Sequence, residues 1–253
     1  MNNPQTEIHL AGRRVLVTGG ARGLGEAFVR ALIAAGARVA FGDLLHERGQ
    51  ALAAELGASA HYVPMDMSDR TAIAGGVAAA AAFLGGLDGL VNNAAITNSG
   101  GRDMADLDPD VWDQVMAVNV RGVWQATVAA HPWLKASGSG RIVNLASDTA
   151  MWGAPRLLAY VASKGAVLAM TRSMAREMGG DAITVNAIAP GLTLVEATAY
   201  VPQARHQQYQ EGRAIGRAQM PADITAAMLF LLTVGSGFVT GQVLPVNGGF
   251  AMN

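Results

Sequence analysis

The run YVASK places a phenol, Tyr160, and an ammonium, Lys164, four positions apart. If RLLAYVASKGAVLAMTRSMAREM is a helix, both side chains project from the same face. A phenol titrates near pH ~10, and a neighbouring ammonium stabilises the phenolate and draws that value toward neutrality. Tyr160 then becomes a usable general acid or base. Alone, the spacing equally fits a packed tyrosine beside a solvated lysine. Upstream, GRIVNLASDTA ends a strand at Ser147, outside the carboxyl ends of parallel strands where open α/β sheets bind ligands. Its hydroxyl can donate to a carbonyl oxygen that gains charge, or cap a helix. Asn119, in VWDQVMAVNVRGVW, falls mid-helix, where asparagine competes for backbone hydrogen bonds. A polar residue there suggests a task, such as holding a water that relays protons to Lys164.

A second constellation opens the chain. RRVLVTGGARGLGEAFVRAL sets Gly19, Gly23 and Gly25 between a strand and a helix, with Arg22 and Leu24 among them. Glycine permits a tight turn, and without a β-carbon the backbone can approach a pyrophosphate at a helix N-terminus. The spacing is G-x-x-x-G-x-G, and a plain β–α turn is its bland alternative. The next strand, ARVAFGD, ends in Asp43, placed to accept hydrogen bonds from a ribose diol and to repel a 2′-phosphate. That favours NAD(H), while the Arg22 cation leaves NADP(H) open. Asp66 and Met67, in VPMDMSD, lie where an adenine would pass; Asp66, Ser68 or Asp69 could also cap the following helix.

The elements that must position these residues alternate. RRVLVTG, ARVAFGD, SAHYVPMD, LDGLVNNAA, GRIVNLAS, AITVNAIAP and QVLPVNGG are short β-branched runs between alanine-rich helical segments. Strands apolar on both faces predict an α/β fold, a Rossmann-type doubly wound parallel sheet in a three-layer αβα sandwich, as one domain over residues 1–253. Residues 192–220 break the rhythm and read as a lid, with a surface insertion or oligomer contact as the alternative. The alanine- and glycine-rich Ile73 to Gly86 run is too short for a membrane span and reads as a helix packed on the sheet. The opening MNNPQTEIHLAGRR has no apolar core of a secretory signal. Net charge is −1 without a Lys/Arg block, which argues against nucleic-acid or anionic-membrane partners. The chain has 51% hydrophobic and 15% charged residues, so subunit burial is expected. Zero cysteines exclude disulfides and thiolate metal sites and fit a cytoplasmic setting.

Taken in order, TGGARGLG, NNAA, the Asn119 helix, Ser147, YVASK, NAIAPG and VTGQVLPVNGG resemble the short-chain dehydrogenase/reductase family over essentially the whole chain. The resemblance implies an NAD(P)-dependent oxidoreductase, usually a tetramer, with Asn119, Ser147, Tyr160 and Lys164 as its catalytic tetrad. It puts Asn92 and Ala94 along the cofactor and Pro190, Gly191 and Thr193 beside the nicotinamide. Lys164 would bind the nicotinamide ribose, Tyr160 would exchange the alcohol proton and Ser147 would hold the oxygen, with no metal. The family commonly has glycine where this chain has Ala95, a methyl that narrows space near the ribose or the substrate entrance. Adjacency to the tetrad nominates Ile96, Thr149, Met151, Trp152, Leu158, Leu192, Val195 and Tyr200 as a mostly apolar substrate pocket. Such a pocket fits a hydrophobic, aromatic or cyclic secondary alcohol or ketone. Asp148 could face it and select a hydroxyl or amine, or cap a helix. The alternatives are an NADPH-dependent 3-oxoacyl-carrier-protein reductase, disfavoured by Asp43 and by GGD at 179–181, and a non-catalytic dinucleotide sensor.

Overall fold

The computed structural model describes residues 8–252. The first seven residues, on which half of the leader expectation rests, lie outside them. Seven strands form one parallel sheet: β1 (Arg14–Thr18), β2 (Arg38–Asp43), β3 (Ala60–Pro64), β4 (Gly89–Asn92), β5 (Arg141–Leu145), β6 (Thr184–Pro190) and β7 (Val243–Val246), in the order β3-β2-β1-β4-β5-β6-β7. They are the seven β-branched runs of the sequence. The helices are α1 (Gly23–Ala34), α2 (His46–Leu56), α3 (Arg70–Leu84), α4 (Pro109–Met116), α5 (Val123–Ala136), the single turn α6 (Thr149–Trp152), α7 (Leu158–Met178), α8 (Gln203–Gly212) and α9 (Ala222–Leu232).

Alternating strand residues feed two cores. Val15, Val17, Val39 and Phe41 pack with Phe28 and Leu32 of α1 and Met228 of α9 on one face. Leu16, Ala40 and Leu90 pack with Ile73 and Val77 of α3 and Ala126 and Leu134 of α5 on the other. Because both faces are covered, the strands carry no polar stripe. Helix α3 is the alanine-rich run, and its buried positions, Ile73, Gly76, Val77, Ala80, Ala81 and Leu84, recur at spacings of three and four. The Asp69 carboxylate caps it by accepting from the Thr71 and Ala72 N–H groups at 2.7 and 3.2 Å. No described helix is long and apolar enough to cross a membrane.

Two features of this architecture position the site. The chain leaves β1 toward β2 on one side while β4 lies on the other, so a crevice opens at the carboxyl ends of β1 and β4. Between α4 and α5 the helix widens into a π-helical stretch, Ala117–Gly122, which contains Asn119.

Candidate active site

The crevice is a cavity of about 670 Å³. At one end the chain turns from β1 into α1 through Gly19 and Gly23, with φ of +65° and +57°. A β-carbon on Gly25 would fall 1.9 Å from the Gly19 carbonyl oxygen, so only glycine fits where the helix begins against the turn. Asp43, at the end of β2, braces the turn: its carboxylate accepts from the Ala21 N–H at 3.0 Å and the Leu45 N–H at 3.1 Å. Gly19, Arg22, Gly23, Leu24, Gly25, Asp43, Asp66 and Met67 all line the cavity. Asp66 is not the helix cap, a role Asp69 takes; it accepts from the Ser68 N–H and hydroxyl, both at 2.7 Å.

Past β4 the cavity is lined by Asn93, Ala94, Ala95 and Ile96. The Thr18 hydroxyl accepts from the N–H groups of Asn93 and Ala94, both at 3.1 Å, and the Asn93 amide donates to the Thr18 and Gly19 carbonyls at 3.0 and 2.9 Å. Asn92 departs from expectation. It is buried inside the sheet, donating to Asn144 Oδ1 at 2.9 Å and Thr127 Oγ1 at 3.2 Å, and does not line the cavity. Successive strand residues face opposite sides, so only one of the two asparagines can border the crevice.

Ser147 follows β5, and Tyr160 and Lys164 stand on the first turns of α7; all three line the same cavity. The Ser147 Oγ accepts from the Thr149 hydroxyl at 2.9 Å. Lys164 is buried, its Nζ donating to the Leu145 carbonyl at 2.6 Å and lying 5.7 Å from the Tyr160 ring centroid. The electrostatics run against the prediction from spacing. Burial pushes the Tyr160 phenol above its ordinary value; the Ser147 hydroxyl opposes this, and Tyr200 and Asp148 add to it. Burial also draws Lys164 down to about 8. Desolvation dominates both shifts and disfavours the charged form of each group, so the protein favours the neutral phenol.

Asn119 is buried and does not line the cavity. Its Oδ1 accepts from the Ile96 N–H at 2.8 Å, and its Nδ2 donates to the Ile96 carbonyl and the Ser163 hydroxyl, both at 3.1 Å. Both amide hydrogens are thus engaged by protein, and the side chain pins the β4 loop to α7.

On the substrate side the cavity is lined by Pro190, Gly191, Leu192, Thr193, Val195 and Tyr200, and by Ile96 and Thr149. Three nominated residues lie elsewhere. Met151 packs against the buried Val123, Ala146 and Val167 group. Trp152 stands edge-on to Tyr209 and Phe250, with ring centroids at 6.3 and 5.6 Å. Leu158 is exposed, and its neighbour Leu157, which precedes the first residue of α7, faces the cavity in its place. Sequence reasoning missed Asn93, Leu157 and Tyr209; for Tyr209, a lone aromatic in the polar QARHQQYQEG, isolation itself was the signal. Residues 192–220 form a short 3-10 turn (Glu196–Thr198) and α8, tied across the cavity mouth by an Arg48–Glu196 ion pair at 2.8 Å and a Tyr200 hydroxyl donating to the Thr97 carbonyl.

Residues 19–251 match the family described as enoyl-(acyl carrier protein) reductase. The chain is 38% identical over 240 residues to a 3-alpha-(or 20-beta)-hydroxysteroid dehydrogenase of Mycobacterium tuberculosis, covering 95% of this chain and 90% of that protein. It is 34% identical over 246 residues to a 2,5-dichloro-2,5-cyclohexadiene-1,4-diol dehydrogenase of Sphingobium indicum, covering 96% and 98%. Among solved structures, a 3-ketoacyl-(acyl-carrier-protein) reductase from Brucella melitensis complexed with NADH superposes with a TM-score of 0.90 at 30% identity, covering 96% of this chain and 100% of that one.

Proposed function

The chain belongs to the short-chain dehydrogenase/reductase family of NAD(P)-dependent oxidoreductases acting on CH–OH groups, and from that premise we propose that it is an NAD-dependent alcohol dehydrogenase or carbonyl reductase for hydrophobic, cyclic secondary alcohols and ketones. One observation carries the reading: Ser147, Tyr160 and Lys164 share a cavity with Asp43 and the glycine turn. The relatives named for hydroxysteroids and a cyclic diol support a ring-shaped substrate.

The residues present fit a dinucleotide. The cradle at Gly25, closed to any β-carbon by the Gly19 carbonyl, leaves bare backbone at the N-terminus of α1 for a pyrophosphate. Gly19, Arg22, Gly23 and Leu24 would hold the phosphates, Asp43 the adenosine ribose, Asp66 and Met67 the adenine, and Ala94, Lys164, Pro190, Gly191 and Thr193 the nicotinamide half. When bound, the nicotinamide supplies hydride exchange at its C4 carbon. The protein's own work is proton handling and orientation. In reduction Tyr160, a neutral phenol, gives its proton to the substrate oxygen, and in oxidation it must enter the step as the phenolate, which takes the hydroxyl proton, while Ser147 donates to the substrate oxygen. Lys164, at about 8, sits in the range where its charge responds to operating pH. Asn119 acts through its hold on Ile96 and Ser163. Residues 192–220 serve as the lid that closes over the substrate. Homotetramer formation would cover exposed apolar side chains such as Trp124 and Val128 of α5.

Asp43 carries the preference for NAD over NADP, since a carboxylate there repels a 2′-phosphate. A second reading, an NADPH-dependent 3-oxoacyl-carrier-protein reductase, is favoured by the matched family description and the Brucella neighbour. Against it, the position before β6 where a cation would serve a carrier protein holds Asp181, paired with Lys135 and His131 at 2.7 Å each. Steady-state kinetics with NADH and NADPH against cyclic ketones, aryl ketones and acetoacetyl thioesters separate the two. The expected result is NADH with cyclic ketones, abolished at least ~100-fold in kcat by Tyr160→Phe with NADH binding retained. Dominance of NADPH with the thioester would replace the first reading by the second.

A further inference from the structure

The wall beside Ser147 carries a carboxylate outside the tetrad. Asp148 is completely buried, lines the cavity, and does not cap α6 with its side chain. Its Oδ1 accepts from the Tyr209 hydroxyl at 2.7 Å, whereas its Oδ2 is buried without a hydrogen-bond partner among the described residues. The arrangement is built, not incidental. Tyr209 is the buried residue of α8, stacked on Phe250 at 4.2 Å, and its hydroxyl accepts from Trp152 Nε1 at 3.3 Å. The Asn247 amide donates one hydrogen to the Ala251 carbonyl at 2.9 Å, and with Trp152 it stands close enough to the carboxyl to lower its pKa while neither meets hydrogen-bond geometry at Oδ2. Arg213 donates to the Asn247, Arg217 and Leu192 carbonyls and to Gln219 Oε1, and makes no ion pair with Asp148. A buried carboxylate oxygen left without a donor is costly, and such an atom calls for a partner, whether a water, an ion or a bound molecule.

Resting on the dehydrogenase reading above, we propose that Asp148 is a specificity-determining residue: its free Oδ2 accepts a hydrogen bond from a second hydroxyl on the substrate, so that cyclic diols and hydroxyketones are preferred to plain cyclic alcohols. Ser147 and Asp148 line the same cavity, so a ring whose reacting oxygen meets Ser147 can carry a further hydroxyl toward Asp148. A substrate without that hydroxyl leaves the oxygen orphaned, and sites built around a hydroxyl discriminate most strongly against analogues lacking it. Burial lifts the Asp148 carboxyl to about 6, against the lowering influence of Tyr209, Asn247, Arg213 and Trp152, with the Tyr160 phenol also facing it. At neutral pH it is therefore an ionised acceptor.

The test compares kcat/KM for NAD-dependent oxidation of cyclohexanol with that for the cis and trans isomers of cyclohexane-1,2-, 1,3- and 1,4-diol. The wild type should favour its best diol over cyclohexanol by about tenfold or more, the size expected of one hydrogen bond to a charged acceptor. In Asp148→Ala that ratio should fall to near parity; taking the ratio within each protein cancels any change in general activity. Preference of the wild type for cyclohexanol over every diol overturns the proposal without any variant, as does an unchanged ratio in Asp148→Ala. Should Asp148→Ala not fold, Asp148→Asn, with a neutral and weaker acceptor, must lower the ratio at least threefold. Oxidation of cyclohexanol alone refutes the role of Asp148 and leaves the dehydrogenase reading standing; no oxidation of any alcohol with NAD or NADP removes both.

Discussion

At the β1–β2 end of the cavity the walls are backbone: a turn at positive φ, a helix start that admits no β-carbon, and one carboxylate locked by two N–H groups. At the β5–β6 end the walls are side chains brought from distant segments, Ser147 and Asp148 after β5, Tyr160 and Lys164 on α7, and Tyr209 on α8. The first kind of wall tolerates little change of shape. The second kind can change residue by residue while the sheet stays intact, and it is where one family member comes to differ from another in substrate.

The contrast makes graded predictions. Gly25→Ala should have the largest effect. Its new methyl collides with the Gly19 carbonyl oxygen at 1.9 Å and with the Asn93 amide at 2.6 Å, so NADH binding measured by fluorescence titration should weaken more than ~100-fold, with loss of thermal stability. Normal NADH binding by that variant would mean the turn is softer than its geometry states, and the contrast would fail at its firmer end.

An intermediate effect is expected at Asp148. Its carboxyl is raised to about 6 from 3.8, so the folded chain holds the proton more tightly than the unfolded chain. Stability from this group is present below about pH 4 and lost as pH rises through about 6, above which the buried charge is a net cost. Relative to wild type, Asp148→Asn should therefore gain about 2 kcal/mol between pH 4 and pH 8 in denaturant unfolding. A difference that stays constant across this range would show that the carboxyl titrates near its ordinary value.

The smallest effect belongs to Arg48→Ala. The Arg48–Glu196 pair joins α2 to the outer segment, but both partners are nearly half exposed. Removing it should change stability by under about 1 kcal/mol, with the difference shrinking in high salt. A loss well beyond that would mean that charge, and not the buried Tyr209 and its ring stack, anchors residues 192–220.

Much of this was legible before folding. The seven strands were readable because a sheet covered on both faces demands nearly uninterrupted apolar runs, as Val15 to Val17 and Val39 to Phe41 show. The glycine turn was readable because its constraint is local: only glycine meets it, whatever surrounds it. The misplaced residues share another cause. Whether Asn92 or Asn93 borders the crevice depends on where β4 ends, and whether Leu157 or Leu158 does depends on where α7 begins; one residue of slip reverses a strand side chain and turns a helical one by about 100°.

The sequence by itself determined the fold, the dinucleotide turn and the residue types of the tetrad, because each follows from periodicity or from a local steric demand. Only the tertiary structure decided how those residues are charged and who their partners are. Four positions of spacing predicted an ammonium that lowers a phenol; burial, which no spacing encodes, raised Tyr160 and lowered Lys164 instead. Tyr209 lies 61 positions beyond Asp148 along the chain, and only folding brings its hydroxyl to one carboxylate oxygen while leaving the other free.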